Sequence, residues 1–127
     1  MHSDNRPLSP HLQIYKLPLT AITSITHRIT GAALTLGLVL LVYWLAAAAT
    51  GPVAYGQAQA VLGSFLGQIV LFLFTFALFY HLANGVRHLV WDTGTALDLE
   101  SARMGSYLVL AAAAVLTVII WVFAYLA

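Results

Sequence analysis

Long uncharged stretches dominate the hydrophobic pattern of this chain. No Asp, Glu, Lys or Arg occurs from Ile29 to Val86, a stretch of 58 residues. That length is too great for one membrane crossing and suits two, because about 20 apolar residues cross the ~30 Å of hydrocarbon in a bilayer. A further uncharged run, Met104–Ala127, is long enough for a third crossing. Because an unpaired backbone amide is costly in lipid, all three crossings are predicted to be helices.

The predicted fold is that of an all-α membrane protein with three transmembrane helices. Gly51 and Pro52, followed by Tyr55-Gly56-Gln57, predict a break between the first two helices, since Gly and Pro are the strongest local breakers, and residues 51–60 are expected to form a turn. The whole chain, 1–127, is interpreted as a single membrane-anchor domain. It consists of an arm at residues 1–20 followed by helices at about 25–49, 61–88 and 105–126.

The basic residues predict how the chain is oriented in the membrane. They all lie at or beside the same end of the predicted helices, and the 51–60 connection has none. The positive-inside rule makes that end cytoplasmic, or matrix-facing. The N-terminus is therefore predicted to be inside and the C-terminus outside. The basic residues are Arg6, Lys16, Arg28, Arg87 and Arg103.

Composition excludes several classes of function. Hydrophobic residues make up 61% of the chain and charged residues 7%, against roughly 25% charged in soluble domains. Cysteine is absent, which excludes disulfides, thiolate-bound iron–sulfur clusters and c-type haem attachment through this chain. There is no basic patch interleaved with aromatic residues, so nucleic acid is not an expected partner. With no signal peptide or presequence evident, a bacterial inner-membrane protein or a mature organellar one is expected rather than a secreted protein, and the mitochondrial inner membrane is the less expected of the two.

The end of the second predicted helix carries a candidate cofactor site. His81, Gly85 and His88 follow the spacing i, i+4 and i+7 and share one helical face. His81 comes directly after a long apolar run and is the deeper histidine. A neutral imidazole can ligate haem iron, and a glycine one turn away removes bulk where a flat macrocycle or a neighbouring helix comes close. The alternative is a histidine that hydrogen-bonds between helices or lies at the interface.

The start of the first helix carries a second candidate group. Arg28 has five donors that suit a haem propionate or a quinone carbonyl, and Ser24 lies one turn before it. The alternatives are that Arg28 reaches to lipid phosphate as an anchor and that the Ser24 hydroxyl bonds back to its own helix. Asp92 follows Arg87 by five residues and is a candidate for an ion pair with it or with a partner.

Taken together, three segments resemble one family over essentially the whole chain. Their order, their spacing and the three-helix hydropathy resemble the cytochrome b membrane-anchor subunits of succinate dehydrogenase (Complex II). The segments are Arg6-Pro7-Leu8-Ser9-Pro10-His11-Leu12, Ser24-Ile25-Thr26-His27-Arg28-Ile29-Thr30-Gly31, and His81-Leu82-Ala83-Asn84-Gly85-Val86-Arg87-His88-Leu89 with Asp92 and Gly94.

The resemblance implies a non-flavin subunit that is not catalytic toward succinate on its own. Its expected partners are a second small membrane-anchor subunit, an iron–sulfur subunit and a flavoprotein. Succinate would be oxidised at the flavin, and electrons would pass through iron–sulfur clusters to ubiquinone near the inner face. A haem b would lie between the two membrane subunits, with one axial histidine from each.

The resemblance also implies roles for individual residues. His81 matches the axial ligand of the haem iron, and Ser24 and Arg28 match residues that border the quinone. His27, Arg28 and His88 are expected around the haem propionates. A fumarate reductase anchor, a haem-free structural anchor and a proton-pathway protein remain alternatives. A proton pathway predicts polar residues spread across the membrane, whereas here they cluster at one end.

Overall fold

The structure is a computed structural model that describes residues 16–126, and these form four α-helices and no strand. The all-α class is thereby confirmed for this part of the chain. Most of the predicted arm lies outside the described residues. The helices are α1, Leu19–Thr50; α2, Pro52–Leu62; α3, Phe65–Asp92; and α4, Leu99–Leu126.

Three of these helices, α1, α3 and α4, are long and apolar enough to cross a membrane. This confirms the predicted number of transmembrane helices. Two of them start earlier than hydropathy indicates, α1 at Leu19 and α4 at Leu99. Hydropathy reports only the part of a helix that suits hydrocarbon, whereas backbone hydrogen bonding extends the helix into the polar interface.

Asp98 fixes the start of α4. Its carboxylate accepts a hydrogen bond from the backbone N–H of Ser101, 2.9 Å away, which satisfies one of the free N–H groups of the first turn. Hydrogen bonds from the Ser101 side chain and backbone hold the pKa of the Asp98 carboxyl below its ordinary value. The helix thus begins at a cap rather than at the first apolar residue.

The connection between the first two transmembrane helices is itself a helix, so the expected turn at residues 51–60 is wrong. Gly51 ends α1 with a positive φ of 130°, and Pro52 occupies the first position of α2. Proline is tolerated there because the first N–H groups of a helix lack intrahelical partners. Trp44 of α1 donates from Nε1 to Oε1 of Gln59, 3.1 Å away, and ties α2 back to α1.

The two ends of the helix bundle differ in polarity. We call the end where α1 begins, α3 ends and α4 begins the basic end, because Lys16, Arg28, Arg87 and Arg103 lie there. The centre of the packing is apolar and lies between α3 and α4, at Tyr80, Val109 and Ala113. Most large apolar side chains point outward and are exposed, as expected where lipid or a partner helix surrounds the chain.

Candidate functional site

His81 turns its ring toward α1, where a glycine makes room for it. A Cβ placed on Gly31 would lie 3.0 Å from Cε1 of His81, too close for an ordinary contact. A Cβ placed on Gly85 would meet no atom of residues 16–126 within 4 Å. The glycine that makes room for the His81 ring is therefore Gly31. Neither of the two uses expected for Gly85 is tested by this open space, and both stay predictions.

A hydrogen bond to a backbone carbonyl indicates which nitrogen of His81 can bind a metal. Nδ1 of His81 lies 3.1 Å from the carbonyl oxygen of His27. A carbonyl oxygen can only accept, so Nδ1 carries the hydrogen, and the neutral ring has its lone pair on Nε2. Nε2 makes no hydrogen bond with residues 16–126. This is the usual arrangement of a ligating histidine, in which a backbone carbonyl fixes the tautomer of the ring.

The other two histidines of the described chain lie close to His81. The ring of His27 stacks on that of His81 at a centroid distance of 3.9 Å and an angle of 14°. His88 lies 5.4 Å from His27 and contacts Trp91 edge-on. Residues 16–126 hold no group of three or more His, Asp or Glu side chains that could bind a metal ion. An iron bound at His81 therefore needs further ligands from outside the described residues, as a porphyrin would supply.

Ser24 and Arg28 are accessible at the basic end of α1. Ser24 is half-buried and Arg28 is exposed, and neither side chain makes a hydrogen bond or an ion pair within residues 16–126. The back-bonding considered for Ser24 is found instead at Thr26 and Thr30, whose hydroxyls donate to carbonyls of α1. The structure leaves both side chains available to a ligand and does not enclose them in either of the two large grooves of the bundle.

Arg87, considered above as an ion-pair partner of Asp92, is buried between three helices. Its Nη1 donates to Oγ of Ser106 on α4 at 2.8 Å, and both Nη atoms lie 3.4 Å from Oγ1 of Thr23 on α1. The Tyr80 hydroxyl donates to the carbonyl of Thr23 at 2.9 Å. Together these bonds connect α1, α3 and α4 at the basic end.

The ion pair considered between Arg87 and Asp92 is not formed, and Asp92 is exposed. Helical neighbours are three or four residues apart, so a separation of five directs the two side chains away from each other. The Arg87 stem passes over Gly105, where a Cβ would lie 3.0 Å from its Cδ, and the guanidinium lies 4.4 Å from the Trp91 ring. The sequence signal for this site is the small pair Gly105 and Ser106 at the start of an apolar run.

Several buried polar atoms near these contacts have no hydrogen-bond partner in the described part of the chain. They are Nδ1 of His27, both side-chain atoms of Asn84, and Nε of Arg87. Asn84 is fully buried and lies on the same stretch of α3 as His81 and Arg87. The polar interior of the bundle is thus concentrated around the histidine cluster.

Comparison with known proteins identifies relatives along almost the whole chain. Residues 2–120 match the family described as succinate dehydrogenase/fumarate reductase transmembrane subunit. A succinate dehydrogenase cytochrome b556 subunit of Paracoccus denitrificans is 52% identical over 115 residues, covering 91% of this chain and 88% of the relative. A cytochrome b560 subunit of Reclinomonas americana is 41% identical, covering 93% and 85%. A cytochrome b556 subunit of Rickettsia prowazekii is 36% identical, covering 94% and 93%.

Proposed function

We propose that this chain, which belongs to the succinate dehydrogenase/fumarate reductase transmembrane subunit family, supplies one axial ligand to a haem b and part of a ubiquinone site. It is a membrane-anchoring cytochrome b subunit of succinate dehydrogenase, consistent with its relatives and its three membrane-crossing helices. Its bacterial relatives and these helices are those of a bacterial inner-membrane protein. The observation that carries the proposal is the hydrogen bond from His81 Nδ1 to the His27 carbonyl.

His81 would hold the iron through Nε2. The second axial ligand would come from another chain, a second small membrane subunit. His27 cannot serve, because its ring lies flat against that of His81 rather than across an iron from it. His27, His88 and Arg28 would surround the propionates at the basic end. When bound, haem b supplies a one-electron carrier at this position.

Ser24 and Arg28 would bind the quinone. Their hydroxyl and guanidinium lie one helical turn apart and can donate hydrogen bonds to quinone carbonyl oxygens, which gain negative charge on reduction. Support comes from the accessibility of both side chains and from their position on α1 next to His27. These residues would bind and polarise the quinone, while succinate oxidation would take place in the flavoprotein subunit and reach this site through the iron–sulfur subunit.

The basic end would face the cytoplasm, so that the soluble subunits dock there. A reporter fused after Ala127 is expected to lie outside, and the same reporter inserted at Thr95 is expected to lie inside, because every basic residue lies at one end of the predicted helices. Alkaline phosphatase and green fluorescent protein fusions at both sites measure this, and each site is the control for the other. The reverse result at both positions would refute the orientation.

The quinone role predicts a selective loss of activity. Ser24→Ala and Arg28→Leu are each expected to lower quinone reduction about 10- to 150-fold, since a hydrogen bond to a developing charge contributes about 1.5–3 kcal/mol. Succinate oxidation with a soluble dye acceptor should be retained, because the flavin is in another subunit. Arg28→Lys should restore activity only in part, since Lys keeps the charge but loses the planar fork.

The measurement is the ratio of quinone to dye activity in membranes with equal amounts of assembled complex. Arg103→Leu is the matched control, because Arg103 is an exposed arginine of the same end that lies on α4. A ratio that stays at the wild-type value for both Ser24→Ala and Arg28→Leu would show that these side chains do not serve the quinone. Arg28 would then be an anchor to lipid phosphate.

A further inference from the structure

We infer that Thr30 is a positioning residue for the haem ligand, which orients the His81 ring through Nδ1 and lowers the reduction potential of the bound iron. This inference rests on the proposed ligation of iron by His81. It concerns a hydroxyl on α1 that faces the metal-binding ring on α3.

The Thr30 hydroxyl contacts both its own helix and the ring of His81. Its Oγ1 lies 2.9 Å from the carbonyl oxygens of both Thr26 and His27, and 3.2 Å from Nδ1 of His81. The hydroxyl has one hydrogen, which goes to one of the two carbonyls. Because Nδ1 of His81 is the donor toward His27, it also donates to Oγ1, so the Nδ1 hydrogen is shared between two acceptors. Thr30 is buried, and solvent does not compete for these bonds.

Thr35 is a threonine of α1 whose hydroxyl bonds to its own helix and to no side chain of the described residues. Its hydroxyl also donates to a carbonyl of its own helix, that of Gly31 at 3.2 Å, but Thr35 is exposed and is far along the helix from the ring. Thr30 differs because Gly31, its neighbour, allows the His81 ring to come close to α1. The Thr30 hydroxyl and Gly31 therefore position the His81 ring together.

The hydrogen bond from His81 Nδ1 to Thr30 has an electronic consequence. A hydrogen bond donated by Nδ1 increases the basicity of the ring and thus the electron density on Nε2. A more basic axial ligand stabilises ferric over ferrous iron, and hydrogen bonding around the ligands is one of the means by which a protein sets a haem potential. Thr30 therefore favours the oxidised haem, and it also restricts rotation of the ring about its bond to Cβ.

The test compares three substitutions in the purified, assembled complex. Thr30→Val removes the hydroxyl and keeps the branched shape, so the haem potential should rise and the low-spin electron paramagnetic resonance signal should shift. Thr30→Ser, which keeps the hydroxyl, should return both towards the wild-type values. Thr35→Val is the matched control and should change neither. If Thr30→Val does not assemble, Thr30→Ala removes the same hydroxyl without adding bulk and is expected to raise the potential in the same way.

A potential and resonance signal equal to those of the wild type in Thr30→Val or Thr30→Ala would overturn the inference, as would a fall in potential. His81→Ala, measured in parallel, separates this failure from failure of the proposed function. If His81→Ala loses the haem spectrum while the Thr30 variants are unchanged, only the role of Thr30 is refuted. If His81→Ala retains low-spin haem, the ligation by His81 is refuted and the role of Thr30 with it.

Discussion

Replacement of His81 with alanine is expected to abolish the b-haem absorbance of the assembled complex, or to reduce it to a small fraction of the wild-type value. The substitution removes Nε2, the nitrogen whose lone pair is left available by the bond from Nδ1 to the His27 carbonyl. Neither His27 nor His88 has its ring where that of His81 lies, since the first is stacked on the His81 ring and the second contacts Trp91. A reduced-minus-oxidised optical spectrum, normalised to the flavin content of the complex, gives the measurement.

His88→Ala is the matched control, since it removes a histidine of the same helix and the same face. We expect this variant to keep a low-spin haem with an altered spectrum or potential, as a residue near the propionates would produce. An unchanged low-spin haem in His81→Ala would place the ligand elsewhere. Loss of haem from both variants to the same degree would show that the spectrum reports the integrity of the bundle rather than ligation.

The second large effect is expected at Gly31. Gly31→Val would place side-chain atoms where the His81 ring now lies, because even a Cβ would be 3.0 Å from Cε1. Either the ring turns away, which breaks its bond to the His27 carbonyl, or α1 and α3 separate. Overpacking of this kind costs about 1–3 kcal/mol. The yield of haem-containing complex should fall several-fold, as measured by haem content against flavin content after purification.

Gly56→Val serves as the control for Gly31→Val. Gly56 lies in α2, and a Cβ there would meet no atom of residues 16–126 within 4 Å. We expect this variant to retain the wild-type haem content, because the same change of residue meets open space. A normal haem content in Gly31→Val would contradict the close packing of the ring against α1.

The three transmembrane helices could be predicted from the sequence because transfer into lipid depends on the composition of each segment alone. The helical conformation of residues 52–62 could not be predicted in this way. Gly51 and Pro52 end one helix, and Pro52 can also begin the next, so the same residues are compatible with a turn or with a new helix. The break at Gly51 and Pro52 was correctly located, whereas Tyr55-Gly56-Gln57, which was expected to belong to it, lies inside α2. The conformation of the residues after Pro52 depends on how α2 packs against α1.

In the candidate site, too, features that depend on one segment could be predicted, whereas features that depend on contacts between helices could not. The position of His81 after a long apolar run is a local feature, and the sequence was sufficient to single it out. The tautomer of its ring was not predictable, because it depends on the His27 carbonyl of another helix. The partners of Arg87 were not predictable for the same reason, since Thr23 and Ser106 lie on two other helices. The roles of Ser24 and Arg28 at the quinone stay predictions.

The position of Arg87 also has a consequence for how the chain is inserted during its synthesis. Its shortest hydrogen bond is to Ser106, on α4, which is synthesised after α1 and α3. Until α4 enters the membrane, the guanidinium lacks this acceptor, and a cation without a partner is tolerated better at the headgroup level than in the hydrocarbon. The contact of three helices at Arg87 is therefore completed only after α4 has been synthesised, and a nascent chain that stops before Ser106 leaves the guanidinium without this acceptor.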